Sequence, residues 1–431
     1  MNPTIPTASA SDSLTSGEPW VGRSHGELAE LARELLMAGH LIDRSGMPQL
    51  IALFGREGMG EIAIAEWMAA SPVYSKRMQR LLGFEGDTVE TIFKGMQLDI
   101  GAPPEFMDFR FVIHDDHHGE FSLAHCGALM DVEPMGDDYV ETMCHTIEDP
   151  TFDATAGASN PRAQVRPIHR PPRVPADRHP HCAWTVTIDP QAQPLAPPRE
   201  AEYLSTTLAA RLALPETCDA LDSTDGWNTY EAPLDADLVM ERFSSSALAR
   251  ILDEVALQGH LLVHAYLVEV AERVGGEEAA ALGVKQAVGV AGVTAKRLAS
   301  ALGVTPDLAG VEAVLHVHPL LLPRTYVASH LKSTTTGEEL RLALGDAPST
   351  AELDGLSWPV LLTHEQGHRI IEAIVTCVAP TARVTPTDRA EGELAAWTIW
   401  LDPGGGVAHT PNEVILTEFS TGADFGFSRR A

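Results

Sequence analysis

The chain has 431 residues, 44% of them hydrophobic, and can therefore build two or three cores of ordinary size. Thirty basic and sixty acidic residues give a formal net charge of -30. A charge of this sign repels phosphate backbones and anionic lipid headgroups, so we expect binding neither to nucleic acid nor to a membrane surface. The sequence shows no signal-peptide pattern, no long apolar run and an odd number of cysteines, five, and these features predict a cytoplasmic protein with reduced thiols.

The order of the predicted elements is helices first and a small antiparallel sheet later. Residues 1–24, rich in Ser, Thr, Pro and Ala, are typical of a flexible tail. Periodicity and turn residues predict helices over 28–36, 47–68, 88–98, 122–130 and 138–148, and strands over 109–113, 165–169 and 182–188. This pattern is typical of an α+β fold.

The same order occurs twice, because the second half of the chain repeats the first. One ungapped register relates the two halves over more than forty positions, including Gly39 to Gly259, His40 to His260, Gly55 to Gly275, Arg77 to Arg297 and Gly83 to Gly303. A later stretch relates Cys182-Ala-Trp184-Thr185 to Ala395-Ala396-Trp397-Thr398. We therefore predict two tandem homologous modules that pair within the chain, each a helical lead-in followed by a small antiparallel sheet with helices.

The predicted boundaries follow from this repeat. A cysteine-bearing module covers residues 25–192, a Pro-rich and acidic linker covers 193–240, the second copy covers 241–403, and a C-terminal extension covers 404–431. Three of the five cysteines lie in the first copy, and at the matching end of the second copy Cys182 has become Ala395. Chemistry that needs these sulfurs therefore belongs to the first module.

The three cysteines of the first module are the candidate metal ligands. Cys126, Cys144 and Cys182 are too widely spaced for a zinc ribbon or finger, but many of the chain's eighteen histidines surround them. Thiolate and imidazole together are the ligands that zinc prefers. Two alternatives stay open. Cys144 is a candidate nucleophile with His145 beside it as the base, and any of the three thiols can equally be a core residue without a function.

Four stretches around these cysteines carry a resemblance to a known family. HCGALMDVEPMG, MCHTIEDPTFDATAG, NPRAQVRPIHRPPR and HCAWTVTI resemble the L-2-amino-thiazoline-4-carboxylic acid hydrolases, which are distantly similar to the 4-vinyl reductase type of ligand-binding domain. The resemblance covers roughly residues 30–190, and the second copy, which lacks the pattern, is degenerate. It implies a hydrolase or lyase that acts on a C–N bond of a cyclic amidine or thiazoline-like small molecule, in a pocket lined by the three cysteines.

The resemblance also implies roles for individual residues. In one mechanism the three thiolates hold zinc, and His145 or Asp149 moves the proton of a metal-bound water. In the other, Cys144 attacks the ring carbon directly. Arg166 or Arg170 would fix a substrate carboxylate, and Trp184 would line the substrate pocket.

The second module contains a competing motif. His364-Glu365-Gln366-Gly367-His368 matches HExxH, in which two histidines on one helical face bind zinc and the glutamate activates water. This motif predicts a zinc metallopeptidase as an alternative function, with His364 and His368 as metal ligands. A third alternative is a non-enzymatic sensor that binds a metal or a ligand.

Overall fold

The computed structural model describes residues 18–334 and 337–428. Residues 1–17 of the predicted flexible tail lie outside the described residues. A 3-10 helix, Glu18–Trp20, begins the described chain, and its Trp20 is fully buried and donates Nε1–H to Asp253 Oδ1 at 2.9 Å. The chain is therefore tied to the second module before its first long helix starts.

The first module consists of helices and a four-stranded sheet. Its helices are α1 (His25–Leu82), α2 (Val89–Met96), α3 (Gly127–Val132), α4 (Asp137–Glu141), a π-helical segment (Thr142–Ile147) and α5 (Glu148–Ser159). Its strands are β1 (Met107–Asp115), β2 (His118–Cys126), β3 (Ala163–His169) and β4 (Cys182–Ile188), all antiparallel, in the spatial order β1-β2-β4-β3. Two short helices follow the sheet, α6 (Arg199–Leu204) and α7 (Leu208–Arg211).

The second module repeats this arrangement. Its helices are α8 (Ser245–Val274), α9 (Gly276–Ala301), α10 (Leu308–Val317) and α11 (His368–Val378). Its strands are β5 (Ser329–Ser333), β6 (Glu339–Gly345), β7 (Ala382–Pro386) and β8 (Glu393–Leu401), in the order β5-β6-β8-β7. The helix α12 (Asn412–Thr417) follows the sheet, as α6 does in the first module. The predicted α+β fold is confirmed, since each half joins helices to one antiparallel sheet.

One predicted helix of the first module is wrong. The stretch 122–130, predicted as one helix, is the second half of β2 followed by the short helix α3. Gly119, Phe121 and Leu123 are buried at alternate positions, which is the period of a strand. The intervening side chains in β2, Glu120, Ser122 and Ala124, are only partly buried.

The long helices break at the same place in each module. Ser24 caps α1 through a capping box with Glu27, and Gly83 ends it in the left-handed conformation at φ 70°. Within α1, Gly55 has φ 70° and ψ -178°, so two helical segments meet there. Gly275, at φ 86°, separates α8 from α9 at the position that matches Gly55. Only glycine adopts such backbone angles without strain, which explains why the repeat retains it.

Two buried ion pairs join the modules reciprocally. Arg77 donates to both carboxylate oxygens of Glu254 at 2.6 and 3.0 Å, and Arg297 donates to both oxygens of Glu34 at 2.7 and 2.9 Å. All four side chains are at most 8% exposed. Arg77 corresponds to Arg297 and Glu34 to Glu254, so one contact is made twice about an approximate two-fold axis.

The segments that follow the two sheets are exchanged in the same way. After the first sheet, the Leu208 amide donates to Glu352 Oε2 of the second module at 2.9 Å. After the second sheet, the Thr421 amide donates to Asp131 Oδ1 of the first module at 2.7 Å. Each tail therefore binds an acidic residue of the other module, and both the predicted linker and the predicted C-terminal extension carry such a contact.

The buried apolar residues form two cores. The larger core runs through the long helices of both modules and the second sheet. The smaller core lies in the first module, where the sheet packs against α2, α3, α5 and the π-helical segment, and it contains Cys126, Cys144 and Cys182. Within the described parts of the chain, no helix combines the length and the apolar character that a bilayer crossing requires.

Candidate functional site

The fold brings the three cysteines of the first module into one core. Cys126 ends β2, Cys182 begins the neighbouring strand β4, and Cys144 lies in the π-helical segment beneath them. Their exposed fractions are only 4%, 4% and 2% in that order. Burial, then Glu148, then Cys126 and Cys182 raise the pKa of Cys144.

A carboxyl group that the sequence analysis did not select belongs to the same cluster. Glu148 begins α5, and its Oε2 atom is buried without a hydrogen-bond partner in the described structure. Burial raises the pKa of Glu148 from 4.5 to about 8, although Arg170 opposes the shift. Glu148 in turn raises the pKa of Cys126, Cys144 and Cys182, second only to burial in each case. We call these three thiols and this carboxyl the thiol cluster.

Helical spacing is the signal that would have found Glu148. Cys144 and Glu148 are four residues apart, and side chains at this spacing share one helical face. Asp149, which was predicted instead, points about 100° away and binds the Arg170 guanidinium near the surface. The segment that carries Cys144 is π-helical, a local geometry that occurs frequently at functional sites.

An arginine and a tryptophan adjoin the thiol cluster. The Arg170 guanidinium carbon lies 5.8 Å from the centre of the Trp184 ring, and its charge opposes the effects of burial and Glu148 by lowering the pKa of Cys144. Trp184 is fully buried, and its indole N–H interacts with the Cys182 thiol and lowers the pKa of that thiol against the effect of burial. Beside the thiols, the structure therefore places one cation, one indole donor directed at a thiol, and one carboxyl oxygen without a hydrogen-bond partner among the described residues.

Two other predicted residues make different contacts. His145 donates Nε2–H to the Pro171 carbonyl at 2.6 Å, which ties the ring to the loop between β3 and β4. A base that activates a thiol lowers its pKa, whereas the pKa of Cys144 is raised. Arg166 donates to both carboxylate oxygens of Asp153 at 2.9 Å, and its side chain is 53% exposed. Of the two predicted arginines, only Arg170 adjoins the thiol cluster.

The loop between β3 and β4 closes the cluster. His181 Nδ1 accepts from the Cys126 amide at 3.1 Å, and Arg173 donates to Glu133 at 2.7 and 2.8 Å. Burial, and then Arg173, lower the pKa of His181 to about 4, which keeps the imidazole neutral and able to accept. Together with the bond between His145 and Pro171, these contacts fasten the loop on three sides.

Three thiols and a carboxyl are donors that zinc accepts, but their arrangement is not that of a formed metal centre. In the part of the chain that the structure describes, no group of three His, Cys, Asp or Glu side chains is placed to hold a metal ion. The raised pKa values also mean that zinc would have to displace protons from the thiols. Zinc stays a prediction, and no chemical step is assigned to it.

The HEQGH segment does not form the helix that a metallopeptidase requires. A 3-10 helix, Pro359–Thr363, ends before His364, a turn follows, and α11 begins only at His368. His364 Nδ1 accepts from the Gln366 amide at 3.1 Å. The prediction that both histidines share one helical face is therefore wrong. Gly367 explains the difference, because a side chain there would come within 2.3 Å of the Leu361 carbonyl oxygen and the chain must turn tightly.

The second module lacks the thiol cluster at equivalent positions. Leu123 pairs with Cys182 in the first sheet, and Leu344 pairs with Ala395 in the second, so Ala395 is the counterpart of Cys182. Ala347 follows Leu344 at the same spacing as Cys126 follows Leu123, and is therefore the counterpart of Cys126. Glu148 precedes Ala163, the first residue of β3, by as many residues as Gly367 precedes Ala382, the first residue of β7. Gly367 is therefore the counterpart of Glu148. Two thiols and the carboxyl are thus replaced by residues without reactive groups.

Comparisons with family models, curated proteins and solved structures gave no match. The resemblance to the thiazoline hydrolases therefore stays a prediction.

Proposed function

We propose that the first module is a cytoplasmic small-molecule hydrolase that opens a C–N bond of a cyclic amidine or thiazoline-like substrate at the thiol cluster. The observation that carries this proposal is the free, buried carboxyl of Glu148 beside three thiols. A carboxyl with a pKa of about 8 gives and takes protons near neutral pH, which is what general acid and base catalysis requires. Glu148 takes the part that the sequence suggested for His145 or Asp149.

In the first half of the reaction the substrate ring opens. Glu148 in its acid form gives its proton to the ring nitrogen, and the carboxylate that results accepts the proton of the Cys144 thiol. The Cys144 sulfur bonds to the amidine carbon, and the C–N bond breaks with its electron pair on the protonated nitrogen. The amine end of the product is then free, and the carbon remains attached to sulfur.

In the second half, water releases the product. Glu148, which holds the former thiol proton, gives it to the Cys144 sulfur as the C–S bond breaks, and the resulting carboxylate takes a proton from the water whose oxygen bonds to the carbon. The net change is the addition of one water molecule across the C–N bond. Arg170 offers its guanidinium to a substrate carboxylate, and Trp184 offers an apolar face beside it.

The test is ring opening of 2-amino-thiazoline-4-carboxylate by the purified full-length protein, followed by mass spectrometry. We expect turnover that falls at least about 100-fold in Glu148→Gln and in Cys144→Ala. Cys218→Ala removes a thiol outside the cluster and should keep full activity. Rapid quenching should trap a substrate adduct on Cys144. Turnover unchanged in both cluster variants would overturn the proposal, and activity that tracks zinc content and disappears in Cys126→Ala would replace the thiol mechanism by a metal one.

A non-catalytic binding role is the second candidate, favoured by the way the thiols are held. Burial raises the pKa of Cys126 to about 12 and also raises the pKa values of Cys144 and Cys182, so the free protein keeps its thiols protonated and protected. A sensor would bind a metal or ligand here without turning it over. Binding that is lost in Cys126→Ala, with no turnover of any ring substrate, would favour this role. In either case the second module would serve as a packing partner for the first.

A further inference from the structure

A cavity of about 670 Å³ lies between α1 and α6 of the first module, and none of the residues that line it belongs to the thiol cluster. Although the chain has a formal net charge of -30, four of the five charged side chains around this cavity are basic. The basic ones are Lys76, Arg77, Arg80 and Arg211, and the acidic one is the exposed Glu202. Because Arg77 is already paired with Glu254, an anion in this cavity would meet chiefly Lys76.

Lys76 is a half-buried cation without a counter-ion in contact. Its Nζ donates to the neutral Gln79 amide oxygen at 3.3 Å, and it forms no ion pair with a carboxylate among the described residues. Burial lowers the pKa of Lys76, so the ammonium group has lost part of its water without gaining a charged hydrogen-bond partner in return. A carboxylate beside Nζ would reverse this loss.

The tails that follow the two sheets show which residue of the second module corresponds to this part of α6. Leu208 and Thr421 make matching contacts with an acidic residue of the other module. Ser205 precedes Leu208 by as many residues as Glu418 precedes Thr421. Ser205 is therefore the counterpart of Glu418.

The second module supplies the missing counter-ion from its own tail. Lys296, the counterpart of Lys76, forms an ion pair with the Glu418 carboxylate. Burial lowers the pKa of Lys296, but the bond with Glu418 outweighs burial, and the pKa is raised. The first module keeps the lysine but has only the Ser205 hydroxyl, and Ser205 lines the cavity. The cavity therefore lies where the second module holds a carboxylate.

Two further exchanges make the wall of this cavity more positive than its counterpart in the second module. Arg211 stands where the second module has Asp424. Arg80 stands where it has Ser300, and the exposed partner of Arg80, Glu85, lies 3.5 Å away, so water screens that pair. Both exchanges favour an anionic ligand in the first module.

The cavity is present because α6 cannot come as close to α1 as α12 comes to α9. A Cβ on Gly292 of α9 would lie 2.6 Å from Val414, and a Cβ on Gly289 would lie 2.8 Å from a backbone oxygen of α12. The matching residues of α1 are Pro72 and Ala69, whose side chains exclude such close contact. Space therefore remains beside Pro72, which lines the cavity.

A second cavity, of about 450 Å³, adjoins the first and shares with it Pro72, Lys76, Pro197 and Ala201. Apart from Lys76 and Asp153, the residues that line it are apolar. Asp153 is compensated, since it accepts from the Arg166 guanidinium at 2.9 Å. We propose that the two cavities together bind a small amphipathic carboxylate, with its charged group on Lys76 and its apolar body in the second cavity.

The test is isothermal titration calorimetry of the full-length protein with octanoate. We expect 1-octanol and acetate each to bind at least about tenfold more weakly, because 1-octanol lacks the charge and acetate lacks the apolar chain. Lys76→Gln should weaken octanoate binding at least about tenfold. Ser205→Glu gives Lys76 the carboxylate that Lys296 has, so it should weaken octanoate binding to a similar extent.

Matched variants serve as controls, and a thermal midpoint within about 3 °C of the wild type shows that each variant folds. Ser205→Gln has the size of glutamate without its charge and should keep octanoate affinity within about threefold of the wild type. Lys285→Gln removes an exposed lysine of α9 and should have no effect. Cys144→Ala should also keep the affinity, since the thiol cluster lies outside both cavities. Octanoate that does not bind the wild type, or that binds Lys76→Gln and Ser205→Glu as tightly as the wild type, would overturn the proposal.

Discussion

The two modules share their framework and differ in what the sheet covers. Both have the same strand order, and both interrupt their long helices at a glycine. In each, one arginine forms a buried ion pair with a glutamate of the other module. Under the first sheet lie the thiols and Glu148, whereas Ala347, Ala395 and Gly367 occupy corresponding places under the second. The contacts retained in both copies hold the fold together, and the residues present in only one copy are those with reactive groups.

The largest effect should come from breaking a shared contact. Arg77→Met and Arg297→Met each leave a buried glutamate without its partner, so each should lower the free energy of unfolding by about 3–5 kcal/mol. Urea denaturation measures both losses. Arg80→Met, whose side chain is 54% exposed and 3.5 Å from Glu85, should cost about 1 kcal/mol or less. A large loss of unfolding free energy in only one of the two variants would mean that the two buried ion pairs do not contribute equally to stability.

A second test uses the residue that distinguishes the first module. The pKa of Glu148 rises from 4.5 to about 8 on folding, so the folded state binds its proton more tightly than the unfolded state. The stabilisation is complete below about pH 4.5 and is lost as the pH rises to about 8, at up to about 1.4 kcal/mol per pH unit. Glu148→Gln should lack this part of the pH dependence.

The measurement is urea denaturation of both proteins from pH 4.5 to 8.5. Glu372→Gln, an exposed change on α11, serves as the control and should follow the wild type. If Glu148→Gln and the wild type lose stability in parallel, the carboxyl is ionised in the folded protein, and its proposed role as an acid fails with it.

The smallest effect should come from the HEQGH segment of the second module. His364 lies in a turn and its Nδ1 contacts only the nearby Gln366 amide, so His364→Ala should change the free energy of unfolding by about 0.5 kcal/mol or less. The metal content of the purified protein should stay the same. A loss of zinc in this variant would show that the second module has chemistry of its own and would reverse the contrast between the modules.

The sequence predicts the framework well because glycine positions and apolar periods are local signals. The repeat aligned Gly55 with Gly275, which both break a long helix, although the predicted helix 47–68 runs through Gly55. Trp184 and Trp397, also aligned by the repeat, both lie in a central strand of their sheet. The end of β2 was mistaken for a helix because Leu123, Cys126 and Met130, on both sides of the boundary with α3, are spaced as on one helical face. Where a short strand leads directly into a helix, the strand and helix periodicities overlap in the sequence, and the pattern does not show where one element ends and the other begins.

The candidate site was only partly predictable. Cysteine content pointed to the first module and to three members of the thiol cluster, since three of the five cysteines lie there and the second copy has alanines in place of Cys126 and Cys182. Glu148 was missed because Asp149 next to it is equally acidic, and only the helical phase set by Cys144 separates the buried carboxyl from the exposed one. HEQGH was misread because a five-residue pattern does not report the turn at Gly367.

The exchanged tails carry a consequence for how such a protein arises. Leu208 binds Glu352 and Thr421 binds Asp131, so neither half satisfies its own polar groups when alone. A one-copy ancestor would have met these needs only by joining a second chain, and its assembly would have depended on concentration. Fusion into one polypeptide removes that dependence, since the partner is always within reach. It also allows one copy to differ from the other at the positions of Cys126 and Cys182 while the two modules stay together.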